Sequence, residues 1–169
     1  MISSFAPVAD PNARILILGS IPGRESLRQQ QYYAHPRNAF WRIMAELFDA
    51  SPDLSYRERL ALLTANRLAL WDVIETCCRP SSLDSDIEQA SIRVNDFRRF
   101  LADHRQIEVI LFNGGKAWKT FNRQILPSLD TTNHPLTFRP LPSTSPANAG
   151  YSYNQKLAAW QAVLGTQTT

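Results

Sequence analysis

The sequence predicts an α/β protein of three layers, in which helices cover both faces of a mostly parallel, four-stranded central sheet. Two observations predict this fold. Short apolar runs closed by turn residues alternate along the chain with segments whose apolar residues recur at helical spacing. Strands that alternate with helices form parallel sheets, which are covered on both faces. The length of 169 residues and the absence of a linker-like stretch predict a single domain over residues 1–169.

Each element is predicted from its own apolar pattern. Four short apolar runs predict the strands, at Arg14–Leu18, Leu68–Val73, Val109–Phe112 and Phe138–Leu141. Apolar residues three and four positions apart predict the helices, at 40–48, 56–65, 94–101, 117–125 and 153–164. The tail Thr166–Thr169 is expected to be frayed.

The composition is typical of a globular protein with a substantial core. The formal charge of +3 and the isoelectric point of about 9.1 permit a polyanionic partner without requiring one. No apolar run is long enough for a transmembrane helix, and the N-terminus has no signal-peptide pattern. Two adjacent cysteines, Cys77 and Cys78, are too few for a four-cysteine zinc or iron–sulfur site. We therefore expect a cytoplasmic protein with reduced thiols, no membrane association, and neither metal nor cofactor.

The fold predicts where a functional site would lie. In an open parallel sheet, ligands bind beyond the carboxyl ends of the strands. Applied to the predicted strands, this rule selects four segments, Gly19–Asn38, Asp72–Ser85, Asn113–Lys116 and Pro142–Gly150.

The first segment combines a tight turn with an aromatic loop. The turn Gly19–Gly23 could present backbone amides to an anion, or it could simply connect a strand to a loop. The rings of the loop Gln31–Trp41 could stack on a base, or they could cover the core. Asn38 could serve a ligand, but asparagine is also a favoured cap for the helix that begins near Phe40.

The other segments also allow a functional and a structural interpretation. Asp72, at the end of an apolar strand, is either ion-paired or available to a ligand. Lys116 follows two glycines at a helix N-terminus and could meet a phosphate or be solvated. The hydroxyl-rich loop Ser143–Ala147 suits phosphate contacts, but its prolines also suit a rigid connection into the last helix.

The order of these segments along one chain resembles a known family. Gly19–Gly23 and Leu141–Ala147 resemble the two signature motifs of the uracil-DNA glycosylase superfamily. Within it, Gln31–Trp41 is similar to the hypoxanthine-DNA (deoxyinosine) glycosylase family. Three shorter segments look like the same family, Leu70–Ile74, Ser82–Ser85 and Asn113–Ala117.

The resemblance implies a DNA glycosylase of base excision repair, expected to act as a monomer and without a metal. Such an enzyme extrudes a deaminated base from DNA and hydrolyses its glycosidic bond; the expected base is hypoxanthine, with uracil and xanthine as further candidates. Ile21 stands where other branches carry an asparagine or aspartate that orients the water, so the resemblance assigns that catalytic role to Asn38. Leu141 replaces the histidine of uracil-specific relatives, which argues against fast, uracil-dedicated cleavage.

The remaining roles are assigned by position. The residues expected to bind the base are Gly19, Ser20, Ile21, Phe40, Asp72 and Asn113, with Phe40 or a nearby tyrosine stacking on it. The residues expected to contact DNA are Arg37, Lys116, Ser143, Thr144, Ser145, Pro146 and Ala147.

An ionised Asp72 would act as a chemical filter, because a carboxylate only accepts hydrogen bonds. Hypoxanthine and uracil carry a ring N–H beside a carbonyl, whereas adenine and cytosine have a bare ring nitrogen there. Two other functions remain open at this point: a broad or mismatch-specific uracil-DNA glycosylase, and a noncatalytic nucleotide- or DNA-binding module on the same sheet.

Overall fold

The computed structural model describes residues 1–165, and the predicted frayed tail Thr166–Thr169 lies outside the described residues. The strands are β1 (Ile2–Ser3), β2 (Ile15–Gly19), β3 (Leu68–Asp72), β4 (Ile74–Cys77), β5 (Arg93–Val94), β6 (Val109–Asn113) and β7 (Thr137–Leu141). The helices are α1 (Arg24–Gln29), α2 (Phe40–Leu47), α3 (Tyr56–Ala65), α4 (Phe97–Asp103), α5 (Gly115–Gln124) and α6 (Tyr153–Leu164). Short 3-10 turns lie at Asp84–Asp86, Gln89–Ser91 and Leu126–Ser128.

The central sheet has four parallel strands in the order β3-β2-β6-β7. Each predicted strand lies within one residue of its observed bounds. β7 is at the edge of the sheet and contains Pro140, a residue without an amide hydrogen that an edge strand tolerates. The prediction of a mostly parallel, four-stranded sheet is therefore confirmed.

Helices cover both faces of this sheet. In β2, the side chains of Leu16 and Leu18 pack in one apolar cluster with α4 and α5. The alternate residues Ile15 and Ile17 pack on the opposite face, in a second cluster with α2, α3 and α6. This alternation follows from the two-residue period of a strand, and it produces the predicted three layers.

Two helices begin at capping boxes that the sequence encodes directly. At α3, the Ser55 side chain accepts a hydrogen bond from the Glu58 backbone amide, and Glu58 accepts one from the Ser55 amide. Ser152 and Gln155 form the same reciprocal pair at α6. Both boxes satisfy amide groups that a helix N-terminus otherwise leaves unpaired, and so they fix where these helices start.

A second sheet and a short helix were not predicted. β1, β4 and β5 form a small antiparallel sheet in that spatial order. It covers a third apolar cluster, which includes Ile21, Ile74 and Ile92. The small sheet therefore holds the segment after β3 against the loop after β2. The short helix α1, of six residues, follows that loop.

Within residues 1–165, no helix is long and apolar enough to cross a membrane. The same residues contain no cluster of histidine, cysteine, aspartate and glutamate that could hold a metal ion.

Candidate active site

The carboxyl ends of the four parallel strands open into one cleft of about 980 Å³. Gly19 of β2 is the register partner of Asp72 of β3, and Asn113 of β6 is the partner of Leu141 of β7. All four residues line the cleft, together with parts of the loops 20–38, 82–85 and 142–148. The structure thus brings together the four segments that the sheet-edge rule selected.

Asp72 lies at the floor of the cleft and is 4% exposed. None of the ion pairs found among residues 1–165 includes it, so the ion-paired interpretation of this carboxylate is wrong. Its Oδ2 atom is buried and has no hydrogen-bond partner. The backbone carbonyl of Asp72 accepts a hydrogen bond of 2.8 Å from the Asn95 side chain, which fixes the strand end but not the carboxylate.

Burial raises the pKa of the Asp72 carboxyl to about 7, because the charged form loses its hydration. The nearby negative charge of Asp84 raises this pKa further, while the Arg79 guanidinium opposes the shift. Asp72 can therefore exist in either protonation state near neutral pH.

Asp84 is a second acidic side chain in the cleft wall. The Ser20 hydroxyl contacts both of its carboxylate oxygens, at 2.8 and 2.9 Å. Burial raises the pKa of Asp84, whereas the Ser20 hydrogen bond and the positive charges of Arg79 and Lys116 lower it. Lys116 does not line the cleft, but its charge acts on Asp84.

Arg79 connects the two loops that form this wall of the cleft. Its side chain donates hydrogen bonds to the carbonyls of Ser81, at 2.7 Å, and Pro22, at 2.6 Å. The Arg24 guanidinium donates to the Pro80 carbonyl in the same region. These bonds hold the loop after β4 against the first turn, so that Ser20 and Asp84 face each other.

Asn113 and Thr144 form a closed pair at the opposite side of the cleft. The Asn113 amide donates to the Thr144 hydroxyl, and its oxygen accepts from the Thr144 backbone amide, both at 2.9 Å. Thr144 is completely buried. Asn113 was predicted to bind the base, but in this structure both ends of its side chain position the last loop.

Asn38 lines the cleft at the start of α2. Its Oδ1 atom accepts a 3.0 Å hydrogen bond from the Phe40 backbone amide, so the capping contact allowed by the sequence is present. The formal cap is the next residue, Ala39, whose amide donates to the Thr144 carbonyl at 3.0 Å. Because Oδ1 is oriented by Phe40, the side-chain amide has a defined direction in the cleft wall.

Phe40 does not line the cleft, which corrects its predicted role as a base-stacking residue. Its side chain is fully buried between α2 and the sheet, where it packs against Trp160 and Trp41. The ring of Tyr33 covers it, with ring centroids 4.2 Å apart. Helical spacing places the first residue of α2 in the core, whereas Tyr33, which packs on it, lines the cleft together with Tyr32 and Tyr151.

The loop after β7 is held from below by α6. Buried Lys156 donates to the Ser145 carbonyl at 3.0 Å, and Trp160 donates to the Pro142 carbonyl at 3.2 Å. Burial lowers the pKa of Lys156. Ser143 and Ser145 each accept a hydrogen bond of 3.2 Å from a backbone amide two residues later. The predicted DNA-contact residues Pro146 and Ala147 stand at the rim of this rigid loop.

Arg37 is exposed at the other rim, where its backbone amide donates to His35 Nδ1 at 3.1 Å. Gly114 lies between the two rims with a φ of +100°, and a Cβ there would lie 3.0 Å from the Ser143 Cβ. Only glycine combines this backbone conformation with so close an approach.

Sequence reasoning missed three residues of the site. Tyr33 was considered only within an aromatic loop, Asp84 only within a polar segment, and Lys156 not at all. Only one signal for Lys156 was available in the sequence. Lys156 is an isolated cation, four positions before Trp160 in a predicted helix, and a serine-rich loop precedes that helix. The positions of the others depend on tertiary contacts.

A polar cleft at the carboxyl ends of a parallel sheet is where α/β enzymes usually hold their active site. The sequence matches the family model of the uracil DNA glycosylase superfamily over residues 6–164. The chain belongs to this superfamily of DNA glycosylases, which are hydrolases acting on N-glycosidic bonds.

Among similar proteins, the hypoxanthine DNA glycosylase of Methanosarcina acetivorans is 38% identical over 161 residues, covering 95% of this chain and 96% of that protein. The protein of the same name from Methanosarcina barkeri is 38% identical over 114 residues, covering 67% of this chain and 71% of its own. A solution NMR structure from Methanosarcina acetivorans, described as a candidate uracil DNA glycosylase, superposes with a TM-score of 0.81. It is 34% identical and covers 99% of this chain and 98% of its own.

The predicted superfamily, fold and enzyme class are thereby confirmed, and the noncatalytic-module interpretation loses its basis.

Proposed function

We propose that this protein removes hypoxanthine from DNA by hydrolysing the bond between the base and deoxyribose. Two relatives carry the name hypoxanthine DNA glycosylase, and one of them aligns along almost the whole chain. The observation that carries the proposal is the buried carboxylate of Asp72, whose Oδ2 has no partner within a cleft wide enough for an extruded nucleotide. A base with a ring N–H supplies the donor that this carboxylate lacks.

Asn38 is proposed to position the attacking water. As the glycosidic bond breaks, positive charge develops on the sugar and the bonding electrons remain with the base. A water held beside the sugar adds to the anomeric carbon and then loses a proton. The side chain of Asn38 lines the cleft, and its Oδ1 keeps a second lone pair that can accept from this water. Isoleucine at position 21, 6% exposed in an apolar cluster, cannot do so.

Discrimination against adenine and cytosine follows from the ionised form of Asp72, whereas guanine, which also carries the N–H, must be excluded through its 2-amino group or its stable pairing. The carboxylate accepts from the N1–H of hypoxanthine but faces a lone pair on the bare nitrogen of adenine. Uracil offers the same N–H, so it is the second substrate to test. The turn at Gly19, Ser20 and Ile21 borders the same part of the cleft and is proposed to contact the base through its backbone.

The DNA strand is proposed to lie across the two rims of the cleft. Arg37 on one rim and Ser143–Ala147 on the other are placed for backbone contacts. Lys156 adds a positive charge beneath the second rim without reaching its surface. Lys116 contributes through its charge rather than by lining the cleft. We further propose that the enzyme acts as a monomer on cytoplasmic DNA, because a single chain supplies the whole cleft.

The test is a single-turnover assay of base release from duplexes that carry one hypoxanthine or one uracil. Asn38→Ala is expected to reduce release by about a hundredfold or more if Asn38 positions the water. Asn38→Ser separates this role from capping, because serine can accept from the Phe40 amide but is too short to hold the same water. We expect Asn38→Ser to fold as stably as the wild type and to remain inactive.

Asn12→Ala is the matched control, because this exposed asparagine is remote from the cleft and its loss should leave base release unchanged. Recovery of activity in Asn38→Ser would show that Asn38 only caps α2. DNA binding without release of either base by the wild type would refute the glycosylase proposal itself.

A further inference from the structure

Two buried polar atoms in the floor of the cleft have no hydrogen-bond partner. They are the hydroxyl of Tyr33 and the Oδ2 atom of Asp72. Both residues line the cleft, whereas Arg79, whose Nη1 is also without a partner, does not. A buried polar group without a partner is unfavourable, so such groups in a folded protein indicate a site that a ligand completes.

The two side chains converge above Gly19. A Cβ on this glycine would lie 2.6 Å from Asp72 Oδ1 and 3.0 Å from the Tyr33 hydroxyl oxygen. Any other residue at position 19 would therefore occupy the place where both polar groups meet. Glycine leaves this small space open, and it is continuous with the cleft.

The position of Tyr33 is fixed by its surroundings. Its φ of +53° lies in the left-handed region, which a bulky residue adopts at an energetic cost and only where the rest of the fold imposes it. Its ring packs on Phe40 at an interplanar angle of 32°. Asn113 of β6 uses both ends of its side chain on Thr144. Its amide also lies close enough to lower the pKa of Tyr33, but the Tyr33 hydroxyl has no hydrogen bond of normal geometry.

We propose that Tyr33 and Asp72 form a donor–acceptor pair that binds the lactam edge of the base, with the Tyr33 hydroxyl donating to the ring carbonyl and Asp72 accepting from the adjacent N–H. This inference rests on the proposed function and identifies a second specificity-determining residue for it. A lactam presents one acceptor beside one donor, which complements the two unpaired groups. Adenine presents the reverse order, so it would leave the pair unsatisfied.

The same contact assists bond cleavage. When the glycosidic bond breaks, the electron pair stays with the base, and part of the negative charge develops on the ring carbonyl oxygen. A donor already aimed at that oxygen stabilises the charge without rearranging. Burial and the neighbouring Asp72 raise the pKa of Tyr33 far above neutral, so its hydroxyl keeps the proton that it donates. Tyr33 therefore serves both selectivity and rate.

The experiment compares wild type and Tyr33→Phe on two bases in single-turnover release. The first base is hypoxanthine. The second is 6-thiohypoxanthine, which keeps the ring N–H but replaces the carbonyl oxygen with sulfur, a weak acceptor. Tyr33→Phe keeps the ring that packs on Phe40 and removes only the hydroxyl. Tyr153→Phe is the matched control, because it removes a tyrosine hydroxyl that donates to Glu46 outside the cleft.

We expect Tyr33→Phe to slow hypoxanthine release by about ten- to a hundredfold and 6-thiohypoxanthine release by less than about threefold. Tyr153→Phe should change neither rate. Equal losses on both bases, or no loss on hypoxanthine, would overturn the pairing and leave Tyr33 as a packing residue. Thermal unfolding of Tyr33→Phe is measured alongside to show that the variant is folded.

A second measurement separates this inference from the proposed function. Free hypoxanthine and free adenine are titrated into isotopically labelled protein and followed by NMR, which requires no catalysis. The pairing predicts that hypoxanthine binds wild type about tenfold or more tightly than Tyr33→Phe, and that adenine binds both weakly. A wild type that binds hypoxanthine in this way but releases no base retains the pairing and refutes the glycosylase proposal. Equal binding of hypoxanthine to both proteins refutes the pairing alone.

Discussion

Two polar pairs lie at strand ends on opposite sides of the same cleft, and they differ in one respect. Asn113 and Thr144 satisfy each other through two hydrogen bonds of 2.9 Å. Asp72 is buried and Tyr33 is half-buried, yet each retains a buried polar atom without a partner. Both pairs contain the last residue of a parallel strand, so the difference arises from the loops that meet them rather than from the sheet.

The comparison separates residues that build the site from residues that await a ligand. A satisfied buried pair stabilises the fold and positions whatever is attached to it, here the loop after β7. An unsatisfied buried pair reduces stability, and it persists where function requires it. Substitutions at the first pair should therefore destabilise the protein, whereas some substitutions at the second should stabilise it.

The largest effect is expected from Asn113→Ala. The change leaves the buried Thr144 amide and hydroxyl without partners and should lower the free energy of unfolding by about 2–4 kcal/mol. Urea denaturation followed by circular dichroism measures it.

Thr144→Val is the informative companion to this variant. It removes only the hydroxyl contact and should lower the free energy of unfolding by about 1 kcal/mol. Asn133→Ala, at an exposed turn, serves as the control. A loss below about 1 kcal/mol in Asn113→Ala would mean that the pair does not hold the loop.

A smaller effect of opposite sign is expected from Asp72→Asn. Folding raises the pKa of this carboxyl from its usual 3.8 to about 7, so the folded state binds the proton more tightly than the unfolded state. Its contribution to stability therefore falls as the pH rises from about 4 to 7, and the full loss applies above pH 7. At pH 8 we expect Asp72→Asn to raise the free energy of unfolding by about 2 kcal/mol, allowing for an amide left without partners.

The same variant should differ little from the wild type at pH 4, where the carboxyl is neutral in both the folded state and much of the unfolded state. Denaturation curves at the two pH values provide the measurement. An equal effect at both pH values would show that the ionisation of Asp72 does not limit stability. Asp53→Asn is the control, because Asp53 is exposed and caps no helix. Asp96→Asn is unsuitable, because Asp96 caps α4.

The smallest effect is expected from Asp84→Asn. Removing this negative charge should shift the titration midpoint of Asp72 to lower pH by no more than about one unit, since Asp84 is the second cause of the raised pKa after burial. Asparagine can still accept from the Ser20 hydroxyl, so the wall should stay intact. A ¹³C label in the aspartate carboxyl groups, followed by NMR against pH, measures the midpoint.

Asp86→Asn is the matched control in the same turn, because the exposed Asp86 does not act on Asp72. A midpoint that remains near 7 in Asp84→Asn would assign the raised pKa of Asp72 to burial alone.

The sequence was sufficient to predict the central sheet and the location of the cleft. Apolar runs such as Val109–Phe112 define strands because a strand covered on both faces has no polar side. Their carboxyl ends then select Gly19, Asp72 and Asn113 by topology alone. The small sheet was missed because β1 and β5 contain two residues each, too few for any periodic signal.

The details of the site required tertiary contacts. The sequence allowed Asn38 a capping contact or a ligand role, and the structure shows that its side chain both accepts from the Phe40 amide and lines the cleft. Phe40 and Tyr33 are equally aromatic, and the sequence pattern does not show that Phe40 is buried while Tyr33, in a left-handed backbone conformation, lines the cleft. Asp72 has no ion pair, and the neighbouring charge that shifts its pKa most belongs to another carboxylate, Asp84, which no local pattern reveals.

The two rims of the cleft share an anchor in Thr144. The Thr144 carbonyl accepts a hydrogen bond from the Ala39 amide, next to Asn38. The Thr144 amide and hydroxyl are hydrogen-bonded to the Asn113 side chain. The segment proposed to hold the water and the loop proposed to grip the DNA backbone therefore form one stiff template. During a search along DNA, such a template would change its conformation little at each base pair, so the duplex itself would have to bend and open to fit. The deformability of the DNA, rather than closure of the protein, would then set how readily a weakly paired lesion is found.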